Sequence, residues 1–99
     1  MTIGKHLAEC IGAFALTFVG GGAIIATSGE NLLVIALAHG LILAVMVAAM
    51  MHVSGAQFNP AVSIALASRG KQPWSQAISF SIVQVLGGIA AAFLLKATM

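Results

Sequence analysis

Little in this 99-residue sequence carries charge: Asp, Glu, Lys and Arg make up 6% of it, against about 25% in a typical soluble domain. Tyrosine is absent, and there are only one tryptophan, two prolines and one cysteine. A lone Cys10 closes no disulfide within the chain, and no Cys/His spacing fits a zinc site, so it reads as a small apolar side chain. Lys5, Arg69, Lys71 and Lys96 against Glu9 and Glu30 leave a net charge of +2. Cations so scattered make no nucleic-acid footprint, which needs Lys and Arg clustered on one face. No nucleophile and base stand at a usable spacing, so the reading is not an enzyme, and nothing calls for a cofactor or a metal. What fills the chain is apolar: 61% of it, with a mean hydropathy of +1.11. An ordinary water-soluble globule is excluded.

The remaining charges are also confined. None occurs from Asn31 through Ser68, nor from Gln72 through Leu95. A span needs about 20 mostly apolar residues, and three windows qualify: Leu7 to Thr27, Leu32 to Met51 and Trp74 to Leu95. A secretory signal peptide is disfavoured at the amino terminus, because Glu9 falls inside the apolar run and the run from Cys10 to Thr27 approaches a full span. Ser28 to Asn31 reads as a tight turn. The other connection, His52 to Pro73, is too apolar for a solvated loop and too interrupted for a span.

Within it, Ser54 to Phe58 reads as irregular backbone and Pro60 to Ser68 as a helix of about 13 Å, at 1.5 Å per residue. Asn59 is a preferred N-cap, and Pro60 at the first helical position loses nothing by lacking an N–H. Ala61 to Ala67 are apolar apart from Ser63, and Ser68-Arg69-Gly70-Lys71 stops the helix with cations and a glycine. The expectation is therefore an all-α membrane protein of three transmembrane helices and one re-entrant half-helix, about 53–68. Such a segment is tolerated at membrane depth only where protein or a wet cavity covers its backbone. Lys5, Arg69 and Lys71 on one side against Lys96 on the other favour a cytoplasmic amino terminus in an inner or plasma membrane, a bias resting on few charges. Small residues recur every four positions at Ala13, Thr17 and Gly21, at Ala36, Gly40, Ala44 and Ala48, and at Gly87 with Ala91 and Gly88 with Ala92. These stripes predict close helix packing. Met46, Met50 and Met51 read as packing.

A half-helix that starts near mid-membrane puts the positive end of its dipole, and the spare amide N–H2 of Asn59, at the bilayer centre. Gly55, Ala56, Gln57 and Phe58 ahead of it would add a ladder of carbonyl acceptors. In a soluble loop Asn-Pro is usually a plain turn; between charge-free spans a narrow polar track for a neutral solute is the stronger reading.

Asn59-Pro60-Ala61-Val62, preceded by His52-Val53-Ser54-Gly55 and followed by Pro73-Trp74, resembles the first half of the major intrinsic protein family, the aquaporins and aquaglyceroporins. Ala8-Glu9-Cys10-Ile11-Gly12-Ala13-Phe14 is similar to that family's first-helix signature, and Gln84-Val85-Leu86-Gly87-Gly88 to its third. The resemblance implies a channel for water and small neutral solutes such as glycerol. It places Asn59, Pro60 and Ala61 at the pore, and His39 as the second-helix member of the outer filter, where an imidazole makes a wetter wall than an aromatic ring. It gives Glu9 the role of accepting hydrogen bonds from the re-entrant loop, with Gln84 nearby and His52 in loop anchoring or the inner vestibule.

Full members of the family resemble two such repeats in inverted orientation. This sequence holds one, and the position after Ala61 is Val62 rather than the filter arginine that follows the second Asn-Pro-Ala in the family. Three arrangements stay open: a fragment of a longer protein, a half paired with a separate second-half chain, or two copies paired antiparallel as a homo-oligomer in the bilayer. A non-conducting interaction subunit and a small proton-coupled transporter using Glu9 are the competing function classes.

Overall fold

The computed structural model describes residues 3–99, which form four helices: α1 (Ile3–Ala26), α2 (Leu32–Ser54), α3 (Pro60–Ser68) and α4 (Trp74–Thr98). The three long ones are apolar and long enough to cross a membrane. Together the elements measure 40 × 25 × 22 Å, and the long axis matches a bilayer with its headgroup layers, about 40–45 Å.

Each boundary has a local cause. At the end of α1 the Gly29 N–H donates to the Ile24 carbonyl at 2.9 Å and the Ser28 N–H to Ile25 at 3.1 Å, a Schellman closure with Ser28 left-handed at φ 53°. Asn31 caps α2, its side-chain oxygen accepting from the Val34 N–H at 3.1 Å. The helix then runs on past Met51, through His52, to Ser54, and stops where Gly55 turns left-handed at φ 88°. Irregular backbone therefore starts at Gly55, one residue later than the sequence suggests. Asn59 caps α3, and Gly70, at φ 74°, closes its other end as the Lys71 N–H reaches the Leu66 carbonyl at 2.8 Å.

α1 is the centre of the bundle, with α4 on one flank and α2 on the other, while α3 packs on α4. The α1–α4 seam is as close as its small residues allow. A Cβ on Gly87 would run into the Cys10 carbonyl and the Phe14 amide of α1, which are backbone atoms and cannot swing aside. Ala77, Phe80 and Ala91 of α4 are completely buried along the same seam, and Leu95 folds over Gly21 and Gly22.

The α2 stripe behaves otherwise. Ala36, Gly40, Ala44 and Ala48 are all exposed, and a Cβ on Gly40 would meet nothing within 4 Å. The close packing expected of this stripe is not made with another helix of this chain among the described residues. α2 instead sets the half-buried Ile35, Ala38 and Ile42 and the buried Met46 on its packed side, and Gly20 of α1 supplies the close approach by admitting the His39 ring of α2. Small residues on one side of a seam are enough, so the second set is left outward. Most other large apolar side chains of the spans, Leu33, Leu41, Ile78 and Phe93 among them, also face outward, the arrangement a lipid solvent permits.

The seam predicts an asymmetry between two glycines. Gly87→Ala is expected to cost about 1–3 kcal/mol through overpacking against backbone, whereas Gly40→Ala is neutral or slightly stabilising through helix propensity. Denaturant melts in detergent micelles, followed by helical circular dichroism, compare the two.

Candidate functional site

The site begins with a carboxylate in the wrong solvent. Glu9, on the second turn of an apolar helix, is 0% exposed. A buried carboxylate with no cation beside it is very costly unless every lone pair finds a donor. Here the donors come from the loop after α2 and from α4. Oε1 accepts from the Phe58 N–H at 2.6 Å and from Gln84 Nε2 at 2.8 Å. Oε2 accepts from Ser54 Oγ at 2.6 Å and from the Gln57 N–H at 3.1 Å. Charge-assisted bonds of this kind are roughly twice as strong as neutral ones.

Those bonds hold backbone that would not stay in place by itself. Ala56 (φ 51°) and Phe58 (φ 55°) are both left-handed, a conformation that costs a residue with a Cβ about 1–2 kcal/mol. Ser54 ties the first of them, since its hydroxyl donates to Glu9 and accepts from the Ala56 N–H at 3.3 Å. The second is pinned by its amide on Glu9 and by its ring, which is buried against Gly12 where any side chain would collide with it.

A second set of polar contacts fixes α3. The Gln57 side chain accepts from Ser63 Oγ at 2.7 Å and exchanges amide hydrogen bonds with Gln72 at 2.9 and 3.1 Å. Gln72 Nε2 also donates to the Ser63 carbonyl at 2.8 Å, and Gln76 donates to Gln72 at 2.6 Å. Gln84 Nε2 joins the two sets by donating to Ser63 Oγ at 3.0 Å. Ser54, Ser63 and Gln72 were missed at the level of sequence. The available signal was Ser63, the only hydroxyl between Pro60 and Ala67.

The loop and half-helix present what this scaffold leaves free. Asn59 Oδ1 accepts from the Ala61 N–H at 2.8 Å, while its Nδ2 and the carbonyl oxygens of Gly55, Ala56, Gln57 and Phe58 have no hydrogen-bond partner among the described residues. A groove of about 540 Å³ runs between α1, α2 and this loop; His39, Gln57, Phe58, Asn59 and Val62 line it opposite Ala13, Thr17 and Gly21. Its wall is open, since His39, Asn59 and Val62 are all exposed. The His39 ring engages Nδ1 with the Ile35 carbonyl one turn back, at 2.8 Å. Since a carbonyl only accepts, Nδ1 is the donor in that contact.

Of the expected residues, His39, Gln57 and Asn59 thus share one groove. Pro60 and Ala61 form the first turn of α3 beside it, and Gly55 and Ala56 lie in the loop without lining it. Glu9 and Gln84 sit together behind the loop, out of the groove. His52 is exposed in the last turn of α2 and makes none of the hydrogen bonds that hold the loop.

Three helices long and apolar enough to span a membrane, with a half-helix packed on the last of them, define an integral membrane protein. The major intrinsic protein family profile matches residues 1–99, and the chain belongs to that family. It is 47% identical over 96% of its length to an aquaporin Z of Rhodopseudomonas palustris and 44% identical over 96% to one of Bradyrhizobium diazoefficiens. Aquaporin NIP1-1 of Zea mays is 39% identical over 95% of the chain. The chain spans only 42% of the first two relatives and 35% of the third.

The Glu9 cluster yields a direct expectation. Glu9→Gln replaces an acceptor-only group with one that turns an N–H2 toward donors, leaving at least one buried donor unmade at about 1–3 kcal/mol. Hydrogen exchange in micelles should show the Gln57 and Phe58 amides losing protection by roughly ten- to hundredfold, with the amides in the middle of α4 unchanged.

Proposed function

We propose that this chain is one half of a passive membrane channel for water, and for small neutral solutes such as glycerol, completed by antiparallel self-association or by a second-half chain. The observation that carries the reading is that Asn59, with its unpaired side-chain amide, and Gln57 and Phe58, with their unpaired carbonyls, line one open groove together with the His39 ring. A solute without charge replaces its water contacts there with fixed donors and acceptors spaced along an apolar wall. The N-terminus of α3 adds a positive potential at the same point, which disfavours cations. With Val62, not a cation, following Ala61, exclusion of cations and protons rests on that dipole and on Asn59 in any pore built from this repeat alone.

The open wall also supports the incomplete character of the unit. Exposed Asn59 beside unpaired carbonyls is costly in hydrocarbon, where each unsatisfied polar group counts several kcal/mol. A second inverted repeat covers that edge and brings a second half-helix to the midplane. The loop contacts of Glu9 favour a channel over a proton-coupled carrier, because both carboxylate oxygens are engaged by donors and neither faces the groove.

Stopped-flow osmotic shrinkage of liposomes holding only this purified chain tests the proposal. Rapid shrinkage of low activation energy, lost in Asn59→Leu that still inserts, is the expected result. Equal flux in the variant contradicts the pore assignment, and wild-type shrinkage no faster than empty vesicles contradicts self-association and leaves the second-half chain. Within the same assay His39→Phe, which trades the imidazole for a bulkier apolar ring, should lower glycerol permeability more than water permeability.

A further inference from the structure

The imidazole of His39 lies against Gly20, where its Nε2, Cδ2 and Cε1 occupy the space that a Cβ would fill. Gly20 is buried and helical, so no turn or positive φ accounts for glycine there; the room for the ring does. The opposite edge of the ring is tethered, Nδ1 to the Ile35 carbonyl at 2.8 Å. The ring is held between its own helix and the backbone of α1, and what it does not occupy is open groove.

We infer that Gly20 is a positioning residue that sets the width of the groove by seating the His39 ring on the α1 backbone. This rests on the proposal that the groove conducts. A methyl at position 20 overlaps the ring and evicts it from its seat. The ring's free direction is into the groove, so Gly20→Ala narrows the lumen with an imidazole that was there all along. Gly22 does not share the role. A Cβ on Gly22 meets Leu95 at an ordinary 3.5 Å and lies outside the groove lining.

The test has a conducting arm and a structural arm. In liposomes of the full chain, Gly20→Ala should lower glycerol permeability about tenfold and water permeability less. Gly22→Ala should leave both unchanged, and Gly20→Ala with His39→Ala should recover or exceed wild-type glycerol flux. A merely structural glycine predicts equal loss of both solutes and no recovery in the double variant; either result overturns the inference, as does wild-type selectivity in Gly20→Ala. The structural arm uses nuclear Overhauser contacts between the Gly20 α-protons and the His39 ring in micelles. They should be present in the wild type and weakened in Gly20→Ala, where the remaining α-proton at that position loses the ring as it leaves. Absence of the wild-type contact, or an unmoved ring in Gly20→Ala, overturns the inference. If the wild-type chain does not conduct, the proposal of a self-assembled channel fails and this second arm decides the seat by itself.

Discussion

The structure depends on one constraint: the carboxylate of Glu9 is buried in an apolar bundle with no cation beside it among the described residues, so the chain must bring donors to it. Two of those donors are backbone amides of residues 57 and 58, the others are Ser54 and Gln84. Meeting the demand pulls the segment after α2 against α1. That leaves Ala56 and Phe58 in left-handed backbone and their carbonyls without a donor among the described residues. The four hydrogen bonds to Glu9 offset both the cost of burying the charge and the cost of bending the loop, and the groove is the remainder.

Function follows from what the scaffold does not use. A soluble loop would pair Asn59 and the free carbonyls with bulk water; here Gln57, Phe58 and Asn59 lie along an apolar wall, in the groove that His39 also lines. In the proposed channel the chemistry is of position and desolvation. Ser63, Gln72 and Gln84 show how the half-helix and the loop share one polar network, in which the buried Oε1 of Gln84 is the atom left without a partner among the described residues.

The sequence makes the spans and the half-helix legible because charge-free runs and an Asn-Pro cap are local signals. Glu9 is legible for the opposite reason, as a conspicuous charge in a place that excludes it. Which face of each helix packs is another matter. α2 is apolar all round, so its periodicity carries no directional information, and its small-residue stripe turns out to face outward while Ile35, Ile42 and Met46 make the seam. The side-chain fate of Gln57 was equally hidden. It depends on Gln72, fifteen positions further on, and on a half-helix whose angle no local pattern specifies. His39 reads as a groove residue through the family resemblance and its register, but its seat on Gly20 requires the distance between two helices.

The most direct test of the account is the distance between the side-chain carboxyl carbon of Glu9 and the amide nitrogen of Phe58, measured by dipolar recoupling in lipid bilayers. A strong coupling, of the size demanded by a 2.6 Å hydrogen bond between Phe58 N and Glu9 Oε1, is the predicted result. No detectable coupling in inserted, helical protein would mean that the loop is held by something else, and the central claim would be wrong.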